Sequence, residues 1–439
     1  MPSSFTALKL PGGEAFLLRT THEGREWTIL VDSGHRYSGA VLPLVAELEK
    51  ARPRLSKIDI AICTHQDADH ANGFRTFADA WYQKNRTIGE FWLPGRWAAA
   101  VPQVLLDPLD LVFKLWSGAY KAAQRLNDGQ LEQPLEQCLR KLAPSEELRS
   151  AYSEVQVSKR EDWVGPTDPN RRTAQSLGLS LEAFEALRRD QEEAEDSGAN
   201  VLEIASELRL PYGLPWWSGD ETDMRTRTLL SAAIDTAQTI QSIAKSALWW
   251  SIPIRWFDFG LFEGGTAAAG GISGLLQPVC AVELTKPPRV SPEMLFFCLR
   301  LSRQNVESLV FFRPETQTEP AVMFTGDSRL SFGLNKPETP FSLPAKLPKR
   351  PVLVTAPHHG SRVNDCAYEI ITRWLGEQGP QPIYVRNGGH WKQSLSAFLK
   401  QDKRLCARCS LCDSGTISRR VTLRASGGRW DLGRTRRCR

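Results

Sequence analysis

Thr64-His65-Gln66-Asp67-Ala68-Asp69-His70 follows directly on the apolar run Ile58 to Cys63, and it sets four candidate metal ligands within six residues. A short β-branched run closed by polar residues reads as a buried strand. The ligands therefore stand where a strand ends, in a turn that can aim several side chains at one point. Packing does not explain that density, because burying two carboxylates without a cation or donors is costly. Neutral imidazole and carboxylate suit Zn²⁺, Mn²⁺ and Fe²⁺.

Working outward, two earlier runs have the same form: Ala15 to Leu18, and Trp27 to Val31 ending at Asp32-Ser33-Gly34. Between the second run and Ile58, Ala40 to Ala51 carries Val41, Leu42, Val45 and Leu48 at helical spacing. The opening predicts strands followed by a βαβ-like unit, with polar residues gathered at strand ends, where α/β folds present their chemistry. Strand signals return at Ile252 to Phe259, Ala281 to Leu284, Leu309 to Phe312, Val322 to Thr325 and Val352 to Thr355. Between 100 and 248 the chain is charged and helix-favouring, as in Leu181 to Asp190, is broken by Pro166, Pro169 and Pro211, and has no histidine. This predicts a core in two parts, 1–99 and 249–399, separated by a mostly helical insertion over 100–248 that caps the site. Gly260 to Leu276, with five glycines between 264 and 274, predicts a loop rather than a membrane segment.

The chain has 439 residues, 41% hydrophobic and 24% charged, enough for a full core. Met1 to Leu10 lacks a basic flank ahead of an apolar stretch, and no window approaches about 18 uninterrupted apolar residues, so a cytoplasmic protein with no membrane partner is expected. Nine scattered cysteines, an odd number, predict reduced thiols. Fourteen tryptophans, among them the pairs Trp216-Trp217 and Trp249-Trp250, suit core contacts better than base stacking. Residues 400–439 hold twelve Lys or Arg against three Asp, a surplus of +9 that leaves −4 for the rest of a chain whose net charge is +5. Such an end is either a solvated tail or the footprint of a polyanion such as nucleic acid.

The ligand run resembles the His-x-His-x-Asp-His signature of the metallo-β-lactamase superfamily, in the His-x-Asp-x-Asp-His form of the hydrolase domain of DNA-uptake competence channel proteins and their free-standing relatives. Four further pieces occur in the matching order: Val31-Asp32-Ser33-Gly34, Phe324-Thr325-Gly326-Asp327-Ser328, Pro357-His358-His359-Gly360-Ser361 and Asn387-Gly388-Gly389-His390. The resemblance implies a four-layer αββα sandwich with a helical insertion. It implies that His65 and Asp67 serve one metal position and Asp69 and His70 the other, bridged by Asp327, with Asp69, His70 and Asp327 as the catalytic core. His390, and with it His358, would complete the second position. Asp32, which read alone is also a plausible turn residue, would orient ligands by hydrogen bonds. His359, Ser361 and Arg362 would lie against substrate or support the ligands.

One departure stands out. Typical relatives supply a further histidine before the Thr-Gly-Asp motif, whereas none lies between His70 and His358 in this chain, whose seven histidines are His22, His35, His65, His70, His358, His359 and His390. The position served by His65 and Asp67 is thus short of a ligand and rich in carboxylate, which favours manganese beside zinc, with one or two ions per chain. The expected reaction is hydrolysis by metal-activated water. The leading substrate is a phosphodiester in DNA or RNA. The alternatives are a small ester, amide or nucleotide signal, or a catalytically impaired regulatory subunit. Free-standing domains of this kind also resemble components of bacterial antiviral defence modules, where such a nuclease would be an effector controlled by a partner protein. Cys406, Cys409, Cys412 and Cys438 offer a partial fit to a structural zinc site, against three unmetallated thiols in a hairpin.

Overall fold

The computed structural model describes residues 2–35, 42–127, 135–143, 145–155, 168–193, 202, 221–301, 305–332, 339–376, 378–389, 394–407 and 419–432. Seventeen strands run in chain order: β1 Ser4–Ala7, β2 Phe16–His22, β3 Arg25–Val31, β4 Lys57–Ile62, β5 Thr87–Pro94, β6 Ile254–Asp258, β7 Gln277–Pro278, β8 Val282–Leu284, β9 Phe311–Arg313, β10 Val322–Phe324, β11 Ser331–Phe332, β12 Thr339–Pro340, β13 Leu353–Thr355, β14 Ile383–Arg386, β15 Arg404–Cys406, β16 Val421–Ser426 and β17 Arg429–Asp431. One sheet has the order β17-β16-β1-β2-β3-β4-β5-β6-β8, a second has β15-β14-β13-β10-β9-β7, and β11 and β12 pair by themselves.

Alternation along each strand builds the layers. Phe16 and Leu18, Ile29 and Val31, and Ile60 and Ile62 of the first sheet meet Phe311, Val322, Phe324, Leu353, Ile383 and Val385 of the second in one apolar layer. The intervening residues, Leu17, Leu30, Ala61, Met323, Val354 and Tyr384, join the core shared with the helices. Side chains of period two pointing to opposite faces give helix, sheet, sheet, helix. The structure is therefore the α/β sandwich that the sequence predicts.

β3, β4, β5 and β6 are mutually parallel, as are β10, β13, β14 and β15. Their carboxyl ends gather Asp32 after β3, Thr64 and His65 after β4, Asp327 after β10, His358 and His359 after β13 and Asn387 after β14. The connection from β3 to β4 contains the helix Pro43–Ala51, whose Leu44, Val45 and Leu48 are buried.

All described elements between β5 and β6 are helical, and Glu221–Trp250 is the longest. Polar ties on several elements hold this region to the core. Gln66 Nε2 donates to Thr239 Oγ1 at 3.1 Å, Arg75 pairs with Asp235 at 2.6 Å, and Arg140 pairs with Glu307 at 2.9 Å. Gly260 to Leu276 opens with a short helix, Phe259–Glu263, before becoming irregular. No helix among the described residues is long and apolar enough to cross a membrane.

The described residues from 400 onward are built into the sandwich: β15 extends the second sheet, and β16 and β17 close one edge of the first. Cys406 is buried on β15 with its Sγ 3.4 Å from Arg386 Nη1, while Cys409, Cys412 and Cys438 lie outside the described residues, as do Trp216 and Trp217. No disulfide joins any of the six described cysteines. Trp81, Trp92, Trp97 and Trp256 are among the largest fully buried side chains, as the core reading requires.

Phe311 bridges the sheets, its ring centroid 5.4 Å from Trp92 and 5.2 Å from Phe257. Phe311→Ala is expected to destabilise the fold by about 3–5 kcal/mol. The exposed change Leu109→Ala should stay within about 0.5 kcal/mol. Urea midpoints at equal slope measure both.

Candidate metal centre

His65 and His70 enter the site from one turn. The backbone leaves β4, passes Gln66 and Asp67, and starts the short helix Ala68–Ala71, which carries Asp69 and His70. Both histidines are fully buried, whereas Asp67 and Asp69 are 33% and 26% exposed at their side chains. The motif thus presents imidazoles from below and carboxylates from the solvent side.

Asp32 fixes the ring orientations. Its carboxylate, fully buried, accepts from Thr64 N at 2.8 Å, from Thr64 Oγ1 at 2.9 Å and from His70 Nδ1 at 2.8 Å. Because the Thr64 hydroxyl proton goes to Asp32, its oxygen accepts from His65 Nδ1 at 3.0 Å. Both imidazoles therefore turn Nε2 toward the centre. His65 Nε2 is buried without a hydrogen-bond partner, 3.6 Å from Asp67 Oδ2 and 3.7 Å from Asp327 Oδ2.

Glu14 performs the same service for His359, whose Nδ1 donates to Glu14 Oε2 and to the Asn387 carbonyl, both at 3.0 Å. The sequence reading did not single out Glu14. It precedes β2, and because β2 runs antiparallel to β3, with Phe16 opposite Val31, the start of β2 lies at the ligand edge. Gly13 makes this possible: its φ is +73°, and a Cβ there would stand 2.2 Å from the Asp69 carbonyl oxygen.

Asp327 divides its oxygens between two groups. Oδ1 lies 3.2 Å from His70 Nε2 and 3.7 Å from His359 Nε2, and Oδ2 faces His65 and lies 3.5 Å from His358 Nε2. Two clusters of candidate ligands result, Glu14, His70, Asp327 and His359 on one side and His65, Asp67 and Asp327 on the other. Asp69 joins the first through an Oδ2 to His359 Nε2 contact of 3.0 Å.

The placement of the paired histidines differs from what the resemblance implies. His359, not His358, stands beside His70, and His390 lies outside the described residues. The cause is a left-handed turn in which His358 and His359 have φ of 48° and 52°, so that consecutive imidazoles reach different oxygens of Asp327. Such conformations cost non-glycine residues energy and concentrate at functional sites. Ser361 is buried and caps the next turn by accepting from Val363 N at 3.4 Å, while Arg362 is exposed next to it.

The electrostatics call for a cation. Burial opposes charge on His70 and His359, yet Asp327, Asp32 and Asp69 drive the His70 pKa well above its ordinary value, and Asp327 and Glu14 do the same for His359. The two Nε2 atoms are only 3.3 Å apart, so two protons cannot share the gap. Asp327 Oδ1, buried beside them, has no hydrogen-bond partner. Inward-facing nitrogens backed by carboxylates, together with a buried carboxylate oxygen left unpaired, fit a divalent ion of the kind that imidazole and carboxylate bind. His70, His359, Asp69 and Asp327 would hold one ion, with Glu14 behind the rings at their Nδ1 atoms, and His65, Asp67 and Asp327 another.

Fold and donor set together define an αββα sandwich with a metal-binding edge. The family model described as the metallo-beta-lactamase superfamily matches residues 12–134, a span that includes Glu14, Asp32 and the whole run from His65 to His70. Over that span the chain is similar to a superfamily of divalent-metal proteins that are generally hydrolytic. None of the curated proteins compared with the chain matches it.

Two outcomes are expected at this centre. Asp32→Asn should weaken metal affinity about 10–100-fold in equilibrium dialysis, while the surface change Asp110→Asn has no effect. Metal loading must displace the proton held between His70 Nε2 and His359 Nε2, so it should release a proton, and affinity should rise with pH. Calorimetry in buffers of different ionisation enthalpy reads the release directly; a buffer-independent heat would contradict it.

Proposed function

We propose that the protein is a metal-dependent phosphodiesterase, a nuclease acting on DNA or RNA. The observation that carries this reading is the single buried carboxylate of Asp327 presenting one oxygen to each of two ligand clusters. Such a bridge suits a pair of ions, and paired ions are the common device for in-line displacement at phosphorus. Divalent ions there would lower the pKa of water and stabilise developing negative charge.

The chain's own residues supply the rest. Asp32 and Glu14 keep the His70 and His359 rings from turning. Asp67 and Asp69, the least buried ligands, mark the side from which substrate arrives. His358 sits on that side of Asp327 with a side chain 23% exposed, and burial lowers its pKa, so its ring is neutral near neutrality and available to take or give a proton. Arg362, exposed three residues beyond His359, supplies positive charge for a phosphate entering there.

Hydrolysis of bis-p-nitrophenyl phosphate and of plasmid and single-stranded DNA, each with Mn²⁺ or Zn²⁺, tests the reading. Activity is expected with at least one ion, and His70→Ala should lower kcat/KM about a thousandfold or more, the several kcal/mol that metal-ion charge stabilisation supplies. His358→Ala should keep the metal content and lose about a hundredfold in kcat, with a flattened pH profile. A protein that holds two ions and cleaves none of these substrates is not a phosphodiesterase.

A further inference from the structure

At the far ends of the strands that carry the ligands lies an open cavity of 570 Å³. Arg19, Arg25, Arg52, Arg54 and Lys57 line it against two carboxylates, Glu26 and Asp59. The sheet register explains how the charges assemble. Ser4 on β1 pairs with Arg424 on β16 and with Arg19 on β2, and Arg19 pairs with Thr28 on β3, so one row crosses four strands on one face. Leu17 and Leu30, two residues along β2 and β3, pack under helices, so this is the outer face. The helix Pro43–Ala51 stops short of the row, and the chain just past it lays Arg52 over Ser4, Nη2 donating to the hydroxyl at 2.6 Å.

The acids in the cavity are already engaged. Asp59 takes Arg25 at 2.7 Å, Lys57 at 2.9 Å and Thr28 N at 2.8 Å, and Glu26 takes Arg19. Among the described residues Arg52, Arg54 and Arg424 have no carboxylate partner. Burial first, then Arg19 and Arg424, push the Arg52 pKa below its usual value, and Glu26 offsets this only in part.

We infer that this cavity is a second site, separate from the metal centre, that binds phosphate groups. The guanidiniums of Arg19, Arg25, Arg52 and Arg54 and the Lys57 ammonium, five positive charges around one cavity against two carboxylates, match a multiply charged tetrahedral anion better than a single carboxylate. Thr28 of β3, which lines the cavity, lies four residues before Asp32, about 13 Å from the ligand edge, so a small substrate at the metals does not reach it. The site therefore stands whether or not the phosphodiesterase reading does.

Titration with pyrophosphate, followed by competition with a labelled single strand of about twenty nucleotides at two salt concentrations, tests the inference. Pyrophosphate should bind the wild type, lose at least about tenfold in affinity in Arg52→Ala/Arg54→Ala and in the exposed single change Arg54→Glu, and keep its affinity in Asp327→Asn. A strand that displaces pyrophosphate, with steeper salt dependence, identifies the phosphate as part of a nucleic-acid backbone. A strand that does not displace it identifies a small phosphorylated ligand. The inference is overturned if neither anion binds the wild type, if both arginine variants bind undiminished, or if binding is lost only in Asp327→Asn.

Discussion

Everything at the ligand edge depends on the carboxylate of Asp32. It is fully buried, its backbone has a left-handed φ of 59°, and it accepts hydrogen bonds from the end of β4 and from His70. Through the Thr64 hydroxyl it also decides which nitrogen His65 presents. A buried carboxylate is tolerated only while its donors remain, since leaving it unpaired costs several kcal/mol. The ends of β3 and β4 and the first turn after them are consequently held in one arrangement, with Ser33 N bonded to the His70 carbonyl as a second clasp.

The second sheet contributes through the same kind of constraint. Asp327 follows a glycine with φ of +48°, where a side chain would press on Ser308 Oγ, and that hydroxyl in turn receives the Asp327 amide at 3.0 Å. Asn364 Nδ2 holds the Asp327 carbonyl at 2.6 Å. Asn387 ties the two halves across the top, donating from Nδ2 to the carbonyls of Leu8 and Ala15 while its own carbonyl accepts from His359. Each ligand is thus anchored by neighbours that do not themselves face the centre, which is how a site keeps its geometry before anything binds.

The parts legible in the sequence were those written contiguously. The run from His65 to His70 could be read because strand, turn and ligands adjoin, and Asp32 and Asp327 could be read from the turn motifs that end their strands. Glu14 could not, because its approach depends on β2 pairing antiparallel to β3, and an isolated acid after two glycines has no period to betray it. A choice between His358 and His359 depends on two left-handed residues that no propensity predicts. Likewise the charge of the final forty residues was plain, yet the place of Arg424 beside Ser4 and Arg19 is a matter of sheet register, which composition does not carry.

β1 pairs with β16, joining residues 4–7 to residues 421–426, and the turn at Gln66 leans on Thr239 of a helix that ends at Trp250. During synthesis the ligand turn emerges long before its brace, and β1 remains an unpaired edge on one side until residues 421–426 have left the ribosome. Contacts of such sequence separation make folding slow and leave strand edges exposed meanwhile. The sandwich closes last at the seam between its two ends, so the same register that assembles the arginine row also times the completion of the fold.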